Sequence, residues 1–294
     1  MDKLVCLIIL NWNGLDDTIE CIESCFKLTY SNFYILLVDN ASSDGSESIL
    51  RERYPDINFI QTGENLGFAG GNNVGIKFAL ENDADYVWLL NNDTVVDSEA
   101  LSELVKVAEK SESNAIVGSK IYFYNEPKKI WFAGGIWRKN KLFASHFGDG
   151  EVDVGQYDKI CEVDYITGCS LLVKSTVIKE IGMMNEKYFM YWEDVDWGAT
   201  VHKKGWKNIH VPTSFVWHKI SSSMKKQSHK QVYYFIRGSL LFFQKYAPER
   251  LPLVFIVIIR DILFSFKKGQ RDIANSYIKA LLDFVTGHFG KSGS

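Results

Sequence analysis

Two apolar segments of this chain each end in a carboxylate, a combination that can hold a metal ion. Segment 86–90 runs directly into the polar residues 91–93, which end in Asp93, and segment 34–38 ends in Asp39. The carboxyl ends of strands line the ligand crevice of an open α/β sheet. Carboxylates placed there can bind Mg²⁺ or Mn²⁺, which prefer oxygen ligands and substrate phosphates. The pattern predicts a site for a diphosphate and its divalent cation, with a helix cap as the alternative role for either carboxylate.

A glycine-rich run lies between these two segments. Gly67, Gly70, Gly71 and Gly75 would let the backbone approach a ligand closely and then begin a helix, whose first N–H groups favour anions. The glycine spacing differs from the dinucleotide-binding fingerprint, and no strand leads directly into the first glycine. The run gains weight only because it accompanies two acidic strand ends.

Three carboxylates stand within four residues further along the chain, flanked by aromatic rings. Glu193, Asp194 and Asp196 repel one another when ionised, which costs stability unless a ligand or a reaction uses them. Aromatic neighbours suit sugars, because the apolar face of a sugar packs on a ring while its hydroxyls hydrogen-bond. The alternative is an acidic helix N-terminus, which the helix dipole stabilises.

A histidine near residue 220 is a further candidate for the same site. His218 follows the strand-like segment 208–211 and a predicted loop that could return it to the crevice. The alternative is a structural role, which is the commoner one for a lone histidine.

Strand-like and helical patterns alternate up to residue 122. Apolar strand-like runs fall at 4–10, 33–39, 57–61, 85–91 and 115–122, and helical patterns lie between them at 15–27, 43–53, 71–82 and 98–110. This alternation predicts βαβ units, and therefore an α/β fold with a doubly wound, mostly parallel sheet and helices on both faces.

The second half of the chain loses this rhythm. Loops and hairpins are predicted for 123–162, a strand for 163–173, and helices for 175–182, 194–204, 227–247, 251–266 and 270–288. The segment 251–266 is very apolar, but Arg260 and Asp261 interrupt it before the roughly 18 to 20 residues that a membrane span needs. It is interpreted as a core helix, with an in-plane membrane helix or a dimer face as alternatives. Basic residues near it, at 267, 268 and 271, suit anionic lipid.

Composition narrows the class of protein. The 294 residues carry a net charge of −3, with 46% hydrophobic and 23% charged residues, which is ordinary for a globular protein and gives no sign of a nucleic-acid partner. The five cysteines have no CxxC spacing, so they are interpreted as reduced thiols of a cytoplasmic protein. The apolar amino terminus is too short for a secretion signal and is interpreted as a first core strand.

Taken together, the motifs resemble glycosyltransferase family 2, the inverting enzymes of the GT-A fold, and within it the rhamnosyltransferase and galactofuranosyltransferase branch. The matching pieces occur in the family's order over residues 5 to about 220: Ile9–Asn13, Val38–Asp44, Asn65–Asn73, Leu90–Asp93, Gly168–Ser170, Trp192–Asp194 and Trp217–His218. The resemblance implies a Rossmann-like GT-A domain at 1–225, with a nucleotide-binding half at 1–122 and an acceptor half at 123–225. Residues 226–290 would then be a helical C-terminal extension.

The resemblance also implies roles for individual residues. Asp39 would bind the pyrimidine of the donor, Asp194 would be the catalytic base, and Asp93 and His218 would hold Mn²⁺ or Mg²⁺. The implied donor-binding residues are Asn11, Asn13, Asp39, Asn40, Asn65, Gly67, Gly71, Asn73, Asn91 and Asn92. The implied acceptor-binding residues are Gly168, Trp192 and Glu193.

One departure from the family pattern concerns the metal. Asn91 replaces the first acid of the family's DxD motif, which leaves a single carboxylate there and makes metal dependence less secure. The implied reaction moves a sugar from a dTDP- or UDP-sugar, with a rhamnose-like sugar favoured, to a hydroxyl of a glycan or lipid-linked acceptor in surface polysaccharide synthesis. A divalent cation stabilises the leaving diphosphate, and a carboxylate takes the proton of the acceptor hydroxyl.

Two other classes remain as alternatives. A sugar-1-phosphate nucleotidyltransferase shares the architecture, but it would need a glycine- and arginine-rich loop after the first strand, where residues 11–14 read Asn-Trp-Asn-Gly. A non-catalytic carbohydrate- or nucleotide-binding homologue is the second alternative, and the presence of Asp39, Asp93, Asp194 and His218 disfavours it. A homodimer and peripheral contact with the cytoplasmic membrane face are further expectations for the C-terminal helices.

Overall fold

The computed structural model describes residues 2–137, 143–220 and 228–292. The strands in this part are β1 (Val5–Asn11), β2 (Phe33–Asp39), β3 (Asn58–Gln61), β4 (Tyr86–Asn91), β5 (Thr94–Val96), β6 (Asn114–Phe123), β7 (Glu126–Phe132), β8 (Gly135–Trp137), β9 (Ala144–His146), β10 (Cys161–Val163), β11 (Ser170–Lys174) and β12 (Lys207–His218). The α-helices are α1 (Leu15–Cys25), α2 (Ser46–Arg53), α3 (Gly67–Glu81), α4 (Ala100–Ala108), α5 (Ser175–Ile181), α6 (Glu193–Lys203), α7 (His229–Tyr246), α8 (Leu251–Lys267) and α9 (Arg271–Thr286).

One large mixed sheet forms the centre of the fold. Its strand order is β10-β12-β6-β11-β4-β1-β2-β3, with β5 paired to β12 and β7 to β6. The strands β3, β2, β1 and β4 are parallel neighbours, and β6 is parallel to β12. β11 is inserted antiparallel between β4 and β6. The predicted α/β class is confirmed, as are the five strands and four helices of the first 122 residues.

The predicted ligand crevice lies where the order of the parallel strands reverses in the sheet. β1 pairs with β2 on one side and with β4 on the other, so the chain runs from β1 through β2 to β3 and then returns past β1 to β4. Asn11 is in register with Asp39, and Leu10 with Asn91, so the three strands end at the same height. Ligands of open α/β sheets bind outside such carboxyl ends.

Alternate side chains of β1 face helices on opposite sides of the sheet. On one face, glycines of α3 let the helix approach closely: a Cβ at Gly75 would lie 2.8 Å from Ile8, and one at Gly71 would lie 2.6 Å from Leu10. On the other face, Asn11 accepts a hydrogen bond from Thr18 of α1. The strand period of two therefore produces the predicted doubly wound layering.

The strand predicted for 163–173 is wrong as a single element. It divides into β10 at the sheet edge and β11 in the interior, because the chain turns between them, with the Ser170 N–H donating to the Thr167 carbonyl at 3.3 Å. The turn brings Gly168 and Cys169 to the end of β4, where the Cys169 carbonyl accepts the N–H of Asn91 at 3.0 Å.

The loop predicted before His218 is also wrong. β12 continues from Lys207 to His218, with register shifts between Lys207 and Asn208 and between Val211 and Phe215. Pro212 lies in the second shift, and a proline has no N–H for the ladder, which explains a local irregularity without a loop. The predicted boundary at residue 225 lies outside the described residues.

The C-terminal extension folds as three helices, as predicted. α7 begins with a capping box in which Ser228 and Gln231 satisfy each other's backbone N–H groups. α8 contributes Val254 and Ile258 to the core, while Ile256, Ile259 and Leu263 are exposed, so the interpretation of 251–266 as a core helix holds for one face of the helix only. Within residues 2–137, 143–220 and 228–292, no helix has both the length and the apolar character to cross a membrane.

Candidate active site

The ends of β1 and β2 are joined through a buried carboxylate. Asp39 is fully buried, and its Oδ2 accepts a hydrogen bond from Asn11 Nδ2 at 2.7 Å. Its Oδ1 accepts from the Ser42 N–H at 2.8 Å and from Gln61 Nε2 at 2.9 Å. The carboxylate is therefore held rigidly at the strand end, and its role toward a pyrimidine stays a prediction.

The end of β4 joins the same network. Asn11 Oδ1 accepts hydrogen bonds from Thr18 Oγ1 at 2.9 Å and from Asn92 Nδ2 at 3.3 Å. Asn13 is exposed, has a φ of +53°, and accepts the N–H of Ser43 at 2.7 Å. The structure thus brings Asn11, Asn13, Asp39 and Asn92 together, as the resemblance implies.

Asn40 and Asn65 shape the turn into α3. Asn40 Nδ2 donates to the Gly67 carbonyl at 3.0 Å, and Asn40 Oδ1 accepts the N–H of Leu66 at 2.9 Å. Asn65 Oδ1 accepts the N–H of Gly67 at 2.8 Å. These bonds hold the glycine-rich turn against the crevice.

The first turn of α3 meets the later half of the chain rather than open space. The carbonyl of Phe189 accepts the N–H groups of Phe68, at 2.6 Å, and Ala69, at 3.4 Å. Asn73 exchanges two hydrogen bonds with the backbone of Met184 and a third with Glu186. Packing explains Gly67 and Asn73 here, as it explains Gly71 above, and their donor-binding roles stay predictions.

Gly67 is the position in this turn where a substitution should be most harmful. Its φ is +75°, and a Cβ would collide with the Phe189 carbonyl oxygen. We expect Gly67→Ala to destabilise the protein by several kcal/mol, because left-handed strain of about 1–2 kcal/mol adds to a backbone collision of about 1–3 kcal/mol. Thermal unfolding measures this loss.

Gly205→Ala is the matched control, since Gly205 has a φ of +83° but nothing within 4 Å of its Cβ position. Only the strain should remain in that variant. Equal losses in the two variants would show that the contact with Phe189 is unimportant.

The candidate metal ligands form a pair across two strands. Nε2 of His218 lies 3.1 Å from Asp93 Oδ1, yet the contact is not aligned as a hydrogen bond, and both Asp93 Oδ1 and His218 Nδ1 are buried without a partner. Lys219 helps to hold Asp93 in place, because its backbone N–H donates to the Asp93 carbonyl at 2.8 Å. Its ammonium group forms an ion pair with Asp17 of α1 at 2.9 Å.

The electrostatics of the pair favour a positive charge at His218. Burial lowers the pKa of His218, but the Cys169 thiol and the Asp93 carboxylate outweigh it and raise the pKa to about 10. Orphaned ligand atoms next to a carboxylate suit a cation that would displace this proton. Among the described residues, no group of three or more His, Cys, Asp or Glu could hold a metal ion, so phosphate oxygens of a substrate would have to complete the coordination.

The candidate base lies beside the end of β4. Asp194 Oδ2 accepts the N–H of Gly168 at 3.1 Å, and Oδ1 accepts the N–H of Val195 at 2.8 Å. Burial raises the pKa of Asp194 against these two hydrogen bonds. Because Gly168 adjoins the residue whose carbonyl binds Asn91, the turn between β10 and β11 joins Asp194 to the strand end that carries the metal pair.

The neighbouring acid differs from Asp194 in environment. Glu193 is 6% exposed, and its Oε2 is buried without a partner. Burial and the adjacent Asp194 raise the pKa of Glu193 well above its usual range. Asp194 accepts two backbone N–H groups, whereas Glu193 Oε2 has no partner among the described residues, a difference that pattern alone did not predict.

Two aromatic residues that the sequence analysis missed also line this region. The ring of Trp131 lies between two histidines, with centroids 4.5 Å from His218 and 5.0 Å from His146. Burial lowers the pKa of His146 below its usual value and outweighs the Asp194 carboxylate, which raises that pKa. Trp131 belongs to β7 and His146 to β9, in the stretch 123–162 for which the sequence predicted only loops and hairpins.

Trp192, in contrast, is 3% exposed, so its ring supports the site from inside and does not offer a free face to an acceptor.

The fold is that of the GT-A glycosyltransferases. The chain belongs to glycosyltransferase family 2, because residues 6–168, more than half of its length, match the family model described as glycosyl transferase family 2. The predicted family is thereby confirmed.

Relatives and solved structures agree with this assignment. The chain is 26% identical to an N-acetylglucosaminyl-diphospho-decaprenol L-rhamnosyltransferase of Mycobacterium tuberculosis, over 69% of this chain and 74% of the relative. It is 22% identical to the dTDP-rhamnosyl transferase RfbF of Shigella flexneri, over 90% of each chain. A mannosyltransferase of Pyrobaculum calidifontis, solved with GDP-Man and Mn²⁺, shares the fold with a TM-score of 0.61 at 14% identity, over 97% of this chain and 88% of that one.

Proposed function

We propose that this protein is an inverting glycosyltransferase that moves a sugar from a nucleotide diphosphate to a hydroxyl of a glycan or lipid-linked acceptor. A dTDP- or UDP-sugar with a rhamnose-like sugar is the favoured donor, since two relatives are named rhamnosyltransferases. The observation that carries the proposal is the junction at β4, where Asp93 and His218 form an orphaned pair and the adjoining turn holds Asp194. Synthesis of a surface polysaccharide is the process that this reaction would serve.

The donor would bind at the ends of β1, β2 and β4. The rigid Asp39 carboxylate, with Asn11 and Asn13 beside it, provides hydrogen-bonding groups for a pyrimidine base. The turn formed by Asn40 and Asn65 would border the ribose and diphosphate. A site of this kind positions the anomeric carbon before the acceptor hydroxyl arrives.

Asp93 and His218 are the residues that would hold Mn²⁺ or Mg²⁺, and such an ion supplies charge stabilisation for the departing diphosphate. The pair fits this purpose because each residue has a buried ligand atom without another partner. Asn91 lies in register with Leu10 of β1. Its amide oxygen could accept a hydrogen bond from a ribose hydroxyl or a metal-bound water.

Asp194 would act as the general base. Its raised pKa makes it a stronger base than an ordinary aspartate, and hydrogen bonds from two backbone N–H groups fix its direction. Asp194 would remove the proton of the acceptor hydroxyl as its oxygen attacks the anomeric carbon. Attack from the face opposite the leaving group inverts the anomeric centre. One base suffices for this single displacement, whereas retention would need a positioned nucleophile as well.

Nucleotide release tests the proposal. Purified protein is screened by thermal shift against dTDP-rhamnose and a panel of UDP-sugars, since a ligand at 100 times its Kd stabilises by about 2.7 kcal/mol. The best donor is then incubated with Mn²⁺ and a synthetic N-acetylglucosaminyl-diphospho-lipid, and free dTDP or UDP is measured. A protein that binds the donor but never releases nucleotide would be the non-catalytic homologue instead.

The apolar face of the C-terminal extension supports a place at the cytoplasmic membrane face. Ile256, Ile259 and Leu263 recur at helical spacing on α8 and are more than half exposed, and Leu282 and Val285 of α9 are also exposed. The relative from Mycobacterium tuberculosis is named for an acceptor carried on decaprenol, a membrane lipid. We therefore propose an anionic membrane surface as the occupant of this face.

Basic residues at the carboxyl end of α8 supply the matching charge. Lys267, Lys268 and Arg271 are exposed, and each would contribute about 1 kcal/mol near an anionic surface. We expect co-sedimentation with anionic vesicles at low salt that falls sharply when the three residues are changed to Gln.

A matched variant removes three exposed lysines elsewhere, Lys77, Lys110 and Lys128, and should bind as the wild type does. Protein that remains in the supernatant with anionic vesicles at low salt would contradict the membrane proposal. Analytical ultracentrifugation would then test the rival occupant, a second copy of this chain.

A further inference from the structure

The C-terminal extension places one exposed aromatic ring beside the segment that carries the candidate base. Phe235 of α7 is 41% exposed. Its ring centroid lies 5.6 Å from that of Trp192 and 6.3 Å from that of Tyr191. These two residues directly precede Glu193 and Asp194. Phe235 therefore stands on the acceptor side of the site, outside the segment that matches the family model.

A buried aromatic layer supports this ring from below. Trp192 packs against Phe242 and Phe243 of α7, with centroids 5.1 and 6.2 Å apart, and Trp137 of β8 packs against Phe242 at 4.9 Å. A Cβ at Gly238 would lie 3.0 Å from Trp192 Cδ1, so α7 lies directly on this layer. Phe235 is thus held by neighbours on its inner side and open on its outer side.

The backbone next to Phe235 is strained. Phe189, Tyr191 and Trp192 have φ values of +65°, +67° and +74°, although none is glycine. Each such residue costs about 1–3 kcal/mol, and they persist where the surrounding structure fixes them, most often at functional sites. α7 supplies that support, because Tyr234 stacks on Phe189 at 4.8 Å with planes 20° apart.

Two buried polar groups in this segment have no partner among the described residues. They are Trp192 Nε1 and Glu193 Oε2, on side chains that are 3% and 6% exposed. Buried polar groups in proteins are nearly always hydrogen-bonded, so two orphans on consecutive residues point to a polar ligand or water near this segment. An exposed apolar ring next to a segment with unsatisfied polar groups is a combination that suits a sugar.

We propose that Phe235 and Tyr191 form a subsite for the sugar of the acceptor that bears the attacking hydroxyl. The apolar face of the pyranose packs on the Phe235 ring, which directs the hydroxyl edge toward Asp194. This proposal rests on the proposed function, since the sugar is the acceptor of that reaction. It gives the C-terminal extension a direct part in acceptor recognition, whereas the sequence assigned that part to the ring of Trp192.

Saturation-transfer NMR tests the subsite without turnover. The full-length protein, loaded with dTDP and Mg²⁺, is mixed with the methyl glycosides of rhamnose, N-acetylglucosamine, galactose and glucose. We expect saturation of the ring C–H protons of at least one glycoside, loss of that signal in Phe235→Ala, and its retention in Phe235→Trp. Affinity for dTDP, measured by calorimetry, should be the same in all three proteins.

Phe26→Ala is the matched control, because Phe26 is 54% exposed and, like Phe235, contacts an aromatic neighbour, the ring of Tyr54 at 5.9 Å. It should leave the glycoside signal unchanged. A wild type that binds none of the glycosides, or a Phe235→Ala variant that binds them equally well, overturns the subsite. Neither result depends on nucleotide release, which tests the proposed function separately.

Discussion

Asp194→Asn should reduce kcat by roughly 10²- to 10⁴-fold, the usual loss when a general base is removed. An amide cannot accept the proton of the acceptor hydroxyl. Its NH₂ group would also face an N–H donor, because Gly168 and Val195 each donate to an oxygen of Asp194. Affinity for the donor nucleotide should remain close to that of the wild type. Initial rates of nucleotide release, together with calorimetry of dTDP binding, measure the two quantities.

Glu193→Gln is the informative comparison. Glu193 Oε2 is buried without a hydrogen-bond partner, whereas Asp194 accepts two N–H groups, so an amide at Glu193 should lower kcat by much less than the change at Asp194. Near-normal turnover in Asp194→Asn, together with a large loss in Glu193→Gln, would reverse the two assignments. In the wild type, activity should fall as the pH drops through the pKa of Asp194, at a higher pH than an ordinary aspartate would give, because the base must be ionised and its pKa is raised.

Asp93→Ala and His218→Ala should each abolish most of the effect of Mn²⁺ on nucleotide binding. The two side chains are the proposed ligands of one cation, and substrate phosphates would have to supply the rest of its coordination. Losing one of two protein ligands should weaken Mn²⁺-dependent dTDP binding by about tenfold or more, comparable to losses seen even for outer-shell partners of metal sites. Calorimetry with dTDP, in Mn²⁺ and in EDTA, gives this difference directly.

The controls remove one carboxylate and one imidazole at exposed positions remote from the crevice. Asp56→Ala and His288→Ala should keep the full difference between Mn²⁺ and EDTA. If the wild type binds dTDP equally well in EDTA, the metal site is wrong. Asn91 would then be the physical reason, because an amide leaves the strand end with one carboxylate instead of two.

The sequence by itself determined where the residues of the proposed donor site lie. Asp39 ends an apolar strand and Asp93 follows another by two residues, and the alternation of strands and helices predicts a parallel sheet that brings such residues to one edge. The confirmed family match follows from the same motifs. Asp194 was identifiable as well, because it begins a helix whose start lies in the same cluster of acids and aromatics.

Tertiary structure decided the roles that depend on contacts between distant segments. Whether Trp192 offers its ring or hides it depends on where α7 packs, and no pattern near residue 192 encodes a helix that starts at 229. Trp131 reaches His218 because β7 and β12 both pair with β6, and His146 reaches Trp131 from the separate sheet of β8 and β9. The insertion of β11 between β4 and β6, which brings Gly168 to the base, likewise arises from long-range strand pairing. Local propensity fixes an element and its exposed ends, whereas the neighbours of each side chain are set by the packing of the whole core.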